Sequence, residues 1–383
     1  MSRRSVTRRK AIRYGGVGTA GLIAGCTGGG GGEGSSTEGN GASNTTSESG
    51  SGNQFSGETL TVNGYGGDWS DLFREVIADP FEEETGATVN LDTSGSASEA
   101  YSKIKASNGD PGFGVSVLTG GEILLGKEDG TLAEIPEEYE NIHGIVENYG
   151  DITLPYGVVH GVQFLSLFTH QEKNEGPADS WEALWNEGNA GHTILIHPSN
   201  LAGVFLVIQA ARMEGGGIDN MDPGFQKTAQ LCPDQILTTI QSSSEIFNYT
   251  SSEEVWATPF WSGRSLISIK DRGEPYNMAV PTEGAPHLVN CLAVPSQAEN
   301  KELAFAFLDH WVSPEVNAEW AMGYNVGPSH PGAVENLTSE YKELVPNPEM
   351  PNFDKLYYPS PQKIGEEREA WTERWVREIG SKC

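Results

Sequence analysis

Positive charge is scarce in this chain of 383 residues, where 24 Lys and Arg stand against 53 Asp and Glu for a formal net charge of −29. A surface so poor in cations repels a polyanion, which excludes nucleic-acid binding through a basic face. Long apolar runs are missing as well. No stretch approaches the roughly 18 residues that span a bilayer, and the best internal candidate, Leu201 to Ala211, has Gly203 and Gln209 inside it. No His-Glu-x-x-His, Cys-x-x-Cys or Gly-x-Ser-x-Gly pattern occurs. The histidines are dispersed, and His192 and His197, five apart in an expected strand, fall on opposite faces. No metal, cofactor or catalytic residue is therefore expected.

What is present can fill real cores: 37% of the residues are hydrophobic and nine are Trp. The length predicts two folded units. The charge is unevenly placed, because Arg3, Arg4, Arg8, Arg9, Lys10 and Arg13 precede Cys26 and no carboxylate does. Beyond Cys26, 24 − 6 = 18 cations face all 53 acids, a balance of −35. Acids scattered in that way predict a highly hydrated surface suited to high salt. The alternative, attraction of a cationic ligand, would be screened in such a medium.

Residues 1–26 have the parts of a secretion signal: Thr7-Arg8-Arg9-Lys10 as a twin-arginine start, a short Gly-rich apolar run from Tyr14 to Ala24, and Ile23-Ala24-Gly25-Cys26 in the form of a lipobox. Cys26 is the expected lipidation site. Residues 27–56 are almost entirely Gly, Ser, Thr, Glu and Asn, and such a segment cannot order itself by burying apolar surface. It is expected to act as a disordered tether reaching roughly 30 Å as a random coil. Of the remaining cysteines, Cys232 and Cys291 are expected either as a disulfide or as two buried thiols, and Cys383 makes their number odd. Sequons at Asn44, Asn248 and Asn336 suit an extracellular surface.

From Thr59 onward short β-branched runs alternate with helical spacing, which predicts an α/β fold of mostly parallel sheets flanked by helices. Strands are expected at 59–62, 87–91, 114–118, 193–197, 266–269, 278–280 and 289–294, and helices at 180–185, 201–213 and 302–311. Ser313-Pro314-Glu315 restarts a helix with Ser as N-cap. Residues 154–168 and 276–295 are extended and too apolar for exposed loops, and they predict crossings between two lobes. The expected division is 57–157 plus 285–383 for lobe I and 158–284 for lobe II.

Thr59-Leu-Thr-Val-Asn-Gly-Tyr-Gly-Gly-Asp68-Trp69, Asp79 to Ala87, Ser180 to Trp185, Trp261-Ser-Gly-Arg264 and Cys291-Leu-Ala-Val-Pro295 stand in an order and spacing that resembles the extracellular solute-binding proteins of ABC importers, within them the spermidine/putrescine-binding-like group. The resemblance implies a two-lobed periplasmic-binding-protein-like (type II) fold, no enzymatic activity, a membrane permease as partner and a monomer. It also implies acids near Ser199 to Gly203 and at position 290, and an aromatic at 121. This chain has no acid at those places, and position 121 is glycine.

Ligands in open α/β sheets sit beyond the carboxyl ends of strands, which selects the expected binding residues. Tyr65, Gly66, Gly67 and Trp69 offer free amides and stacking faces, or else a tight turn and a core tryptophan. Ser96 and Thr119 offer hydroxyls, or ordinary turn chemistry. Ser199 and Asn200 precede an apolar helix as ligands or as a cap. Trp261 can cover a solute and Arg264 can grip an anion, unless a surface acid pairs with it. Asn290 can reach a solute from the returning crossing strand. Tyr357-Tyr358 is expected outside the cleft-forming junctions. With Arg264 and Asn290 where acids would be needed for a polyamine, the set suits an anionic or neutral polar solute. The alternatives are a secreted, lipid-anchored hydrolase and a solute sensor of the same fold.

Overall fold

The computed structural model describes residues 54–145, 154–242, 245–345 and 353–383. The signal, Cys26, Asn44 and the tether up to residue 53 lie outside the described residues. At the tether's end, Phe55 is buried (5% exposed) in the first core and its N–H donates to the Thr85 carbonyl at 3.1 Å. The folded body therefore already includes this residue, because one aromatic ring suffices to anchor it.

The strands are β1 (Thr59–Gly64), β2 (Thr88–Thr93), β3 (Val115–Thr119), β4 (Val158–His170), β5 (Thr193–Ile196), β6 (Ile236–Ile240), β7 (Ala257–Trp261), β8 (Tyr276–Ala279), β9 (Ala285–Ala293) and β10 (Leu356–Tyr357). They run in the order β2-β1-β3-β9-β4-β7-β5-β6, with β8 on β4 and β10 on β9. The outer groups β2-β1-β3 and β7-β5-β6 are parallel, and the central β9-β4 pair is antiparallel to its neighbours. That pair forms the two crossings read from the sequence. In β4 the side chains of Val158, Val159 and Val162 enter one apolar core, and those of Phe164, Leu165 and Phe168 enter another. A long strand buried on both sides is richer in apolar residues than an exposed loop, which is why the crossing was legible.

Helix Leu201–Met213 matches its apolar run, and Asn200 caps it by accepting from the Ala202 N–H at 3.0 Å. Three expectations differ. Residues 266–269, expected as a strand, close a helix at Ser262–Leu266 and continue as a π-helical turn, Ile267–Asp271. A short apolar run fits either state, and burial of Ser262, Ser265 and Leu266, at i, i+3 and i+4, goes with the helix. The C-terminal segment, assigned to lobe I, packs largely on the second core. Ile364, Trp371, Trp375 and Ile379 are buried there, Arg374 pairs with Asp222 at 2.6 Å, and a disulfide joins Cys232 to Cys383. Cys291 is a buried free thiol rather than a partner of Cys232.

The first core contains an aromatic cluster of Trp69, Phe73, Trp311 and Trp320, with neighbouring ring centroids 5.0–6.2 Å apart. His160 sits among them, and its Nδ1 accepts from Trp320 Nε1 at 2.9 Å. Burial pushes the His160 imidazole down to about 3, so it is neutral in the native state and takes up a proton only on unfolding. Its folded value lies below the unfolded one, so its contribution is complete above about pH 6.5 and is lost as pH falls toward 3. We expect His160 to cost about 2 kcal/mol of stability by pH 5. A His160→Asn variant should show a flatter stability profile across that window in urea titrations. An unchanged profile would count against a neutral buried imidazole.

Candidate functional site

The register of the central strands decides which side chains share a face. Thr119 of β3 lies opposite Asn290 of β9, Asn290 opposite Gly161 of β4, Leu288 opposite Gln163, and Leu165 opposite Trp261 of β7. Residues directly paired across strands point to the same side, and so do residues two apart along a strand. Thr119, Asn290, Gln163 and Trp261 therefore occupy one face, in that order, from the first parallel group to the second. Leu288, on the same face, lines a cavity of about 460 Å³, as does Thr119. This volume falls in the range of small-molecule sites.

Both cores contribute walls. Helix Gly120–Asp129, which plants Ile123 in the first core, supplies Glu122 and Leu125. Helix Leu201–Met213 supplies Leu201 and Phe205, and helix Pro361–Trp375 supplies Ile364 and Arg368. Leu125 is a large side chain left 46% exposed, which is understandable on the wall of a site. The Phe205 ring meets Trp261 edge to face at 5.6 Å, so Trp261 lies behind the cavity wall.

Of the expected residues, Thr119 lines the cavity, Asn290 and Trp261 share its face, and Tyr65 stands nearby. The Tyr65 phenol is pushed up by burial, with Tyr324 and Glu122 adding to the effect. Arg264 is exposed and forms no ion pair or hydrogen bond among the described residues. It lies 5.9 Å from the Phe247 ring and acts electrostatically on Tyr324. Gly66 and Gly67 are exposed with open space around them, and Gly67 needs its positive φ of 70° to begin the next helix.

Other expected residues have partners within the fold. Trp69 is 7% exposed and belongs to the aromatic core, stacked 5.2 Å from Phe73, because Gly64 leaves room for its ring. Ser96 spends its hydroxyl capping helix Ala97–Ala106, where it accepts from the Glu99 N–H at 3.1 Å. The Ser199 hydroxyl is bonded to His197 Nδ1 at 2.8 Å, and Asn200 is the cap already described. Tyr358, expected away from the junctions, lines the cavity, since β10 pairs with β9 and carries it there.

Sequence reasoning missed Ser98, Glu122, Gln163, Phe205, Leu288 and Arg368. One signal was available: Thr119-x-x-Glu122 is a capping-box pattern, and both halves form. Glu122 accepts from the Thr119 N–H at 3.1 Å and from the Thr119 hydroxyl, while Ser98 donates to its other oxygen at 2.9 Å. Arg368 donates from Nε to the Pro198 carbonyl at 3.1 Å and from Nη2 to the Ser199 carbonyl. Nothing local announces these contacts, which join residues 170 and 169 positions apart.

One departure from the polyamine pattern has a steric cause. A Cβ at Gly203 would lie 2.2 Å from the Ile196 carbonyl oxygen, so no acidic side chain fits where the helix crosses the end of β5.

A family model for bacterial extracellular solute-binding proteins matches residues 76–351. A spermidine/putrescine-binding periplasmic protein of Haemophilus influenzae is 23% identical over 290 residues, 72% of this chain and 77% of that protein. Among solved structures, an ABC transporter protein from Clostridium perfringens superposes with a TM-score of 0.69 at 21% identity, over 84% of this chain and 99% of its own. A spermidine/putrescine ABC transporter substrate-binding protein from Streptococcus pneumoniae gives a TM-score of 0.69 at 17% identity, over 83% and 99%. At these identities the structural likeness concerns the two-lobed fold.

Proposed function

Because the chain belongs to the bacterial extracellular solute-binding protein family, we propose that it is the substrate-binding lipoprotein of an ABC importer, anchored through Cys26 after twin-arginine export. It captures a small anionic or neutral polar solute by closure of its lobes and delivers it to the permease. The observation that carries this reading is the cavity whose walls come from both apolar cores, with Thr119, Asn290, Gln163 and Trp261 on the one sheet face behind it. A solute touching both lobes has more contacts when they are together, and only that difference in affinity can shift the equilibrium toward closure. Micromolar binding corresponds to about 8 kcal/mol, ample to bias a hinge.

The proposed preference against polyamines rests on Arg368 in the cavity wall and on the absence of acids at 199–203 and 290, since a guanidinium repels an ammonium group and each further buried ammonium needs its own carboxylate partner. The test is calorimetry and thermal shift of the intact protein against polyamines, carboxylates, amino acids, phosphonates and sugars. We expect a one-to-one complex with one non-polyamine class, weakened on Asn290→Ala, and a melting point raised by several degrees at about a hundredfold excess over Kd. Turnover of any compound, or no stabilisation by the whole panel, would refute the importer reading.

A further inference from the structure

Two opposite charges face the cavity from different lobes. Glu122 stands on the helix rooted in the first core, and Arg368 on the C-terminal helix packed on the second. The Glu122 carboxylate acts electrostatically on the Arg368 guanidinium, yet no ion pair joins the two among the described residues. Each is instead held in place by its own lobe. Glu122 is fixed by Thr119 and Ser98, and Arg368 by the carbonyls of Pro198 and Ser199, which leaves its Nη1 edge without a protein partner among the described residues. Between them lie apolar walls, among them Leu201, Phe205 and Leu288.

We propose that the solute is a small zwitterion, with its carboxylate on Arg368, its ammonium group toward Glu122 and its hydrocarbon body between the apolar walls. This assignment rests on the solute-binding reading and narrows it. A ligand carrying only positive charge would leave the half-buried guanidinium uncompensated and repelled, and one carrying only negative charge would do the same to Glu122. A zwitterion satisfies both, and each of its ends holds a different lobe, so the full attraction exists only when the lobes are together. Glu128 and Glu366 also border the cavity, but both are exposed, and water screens them. Arg368 offers a planar fork that suits a carboxylate.

The test uses four compounds of equal carbon-chain length on the intact protein by calorimetry: δ-aminovalerate, cadaverine, valerate and glutarate. We expect δ-aminovalerate to bind about tenfold or more tightly than the other three, the effect of one close charge pair in a partly desolvated site. Glu122→Gln preserves the capping box, so its melting point should stay near that of the native chain while its preference for δ-aminovalerate over valerate disappears. Arg368→Gln should remove the preference over cadaverine. Tightest binding of valerate or glutarate, equal binding of all four, or an unchanged ranking in Glu122→Gln would overturn the assignment and leave the solute-binding reading standing, while tightest binding of cadaverine would overturn the preference against polyamines along with it. Failure of the entire broader solute panel would overturn both.

Discussion

Replacing Trp320 by alanine should lower the unfolding free energy by about 3 to 5 kcal/mol, the usual cost of emptying a large aromatic site in a core. Trp320 is fully buried and meets Trp69 at 5.6 Å, Trp311 at 5.0 Å and Tyr324 at 5.1 Å. Its loss also orphans His160 Nδ1, which accepts from the indole. The effect should extend to the site, because Tyr324 lies on this ring and Tyr65 rests edge-on against Trp69 at 5.6 Å. Trp320→Phe keeps much of the volume and should fall between the two. Urea denaturation followed by fluorescence measures the difference, and a loss below about 1 kcal/mol would contradict a close-packed cluster.

Removing the Cys232–Cys383 bridge should cost about 2 to 5 kcal/mol, since it closes a long loop that the unfolded chain otherwise explores freely. The residues are 151 apart in sequence. The consequence should be directional. Without the bridge the C-terminal helix keeps Trp371, Trp375 and Ile379 in the second core but loses its terminal fastening. Exchange protection should then fall first in residues 361–380, of which 361–368 contribute to one wall of the cavity. The Cys383→Ser variant, compared with the native protein by denaturation and amide exchange, checks both parts. Equal stability of the two would show that packing alone holds the helix.

These two predictions fall on either side of what local sequence can reveal. The aromatic residues of the first core were visible in composition, and the helix expected at 302–311, found as Lys301–Trp311, showed its buried stripe of Leu303, Phe307, Leu308 and Trp311 by spacing alone. The crossing strands and the apolar helix after Asn200 were legible for the same reason: each is encoded within a few neighbouring residues, by periodicity, a cap or a composition break. Trp69 was ambiguous, because a glycine-rich turn followed by an aromatic serves a ligand or a core equally well, and only packing against Phe73, Trp311 and Trp320 distinguishes them.

By itself, then, the amino-acid order determined an acidic, two-lobed α/β chain with two crossing strands and placed Thr119, Asn290 and Trp261 at strand ends and crossings. Tertiary structure alone decided that the C-terminal helix serves the second lobe, that Cys383 meets Cys232, and that Tyr358 and Arg368 face the cavity. An amphipathic helix announces that it has an apolar face, but not which surface will cover it. That choice depends on the shapes of partners distant in sequence, whose contacts exist only once the chain has folded.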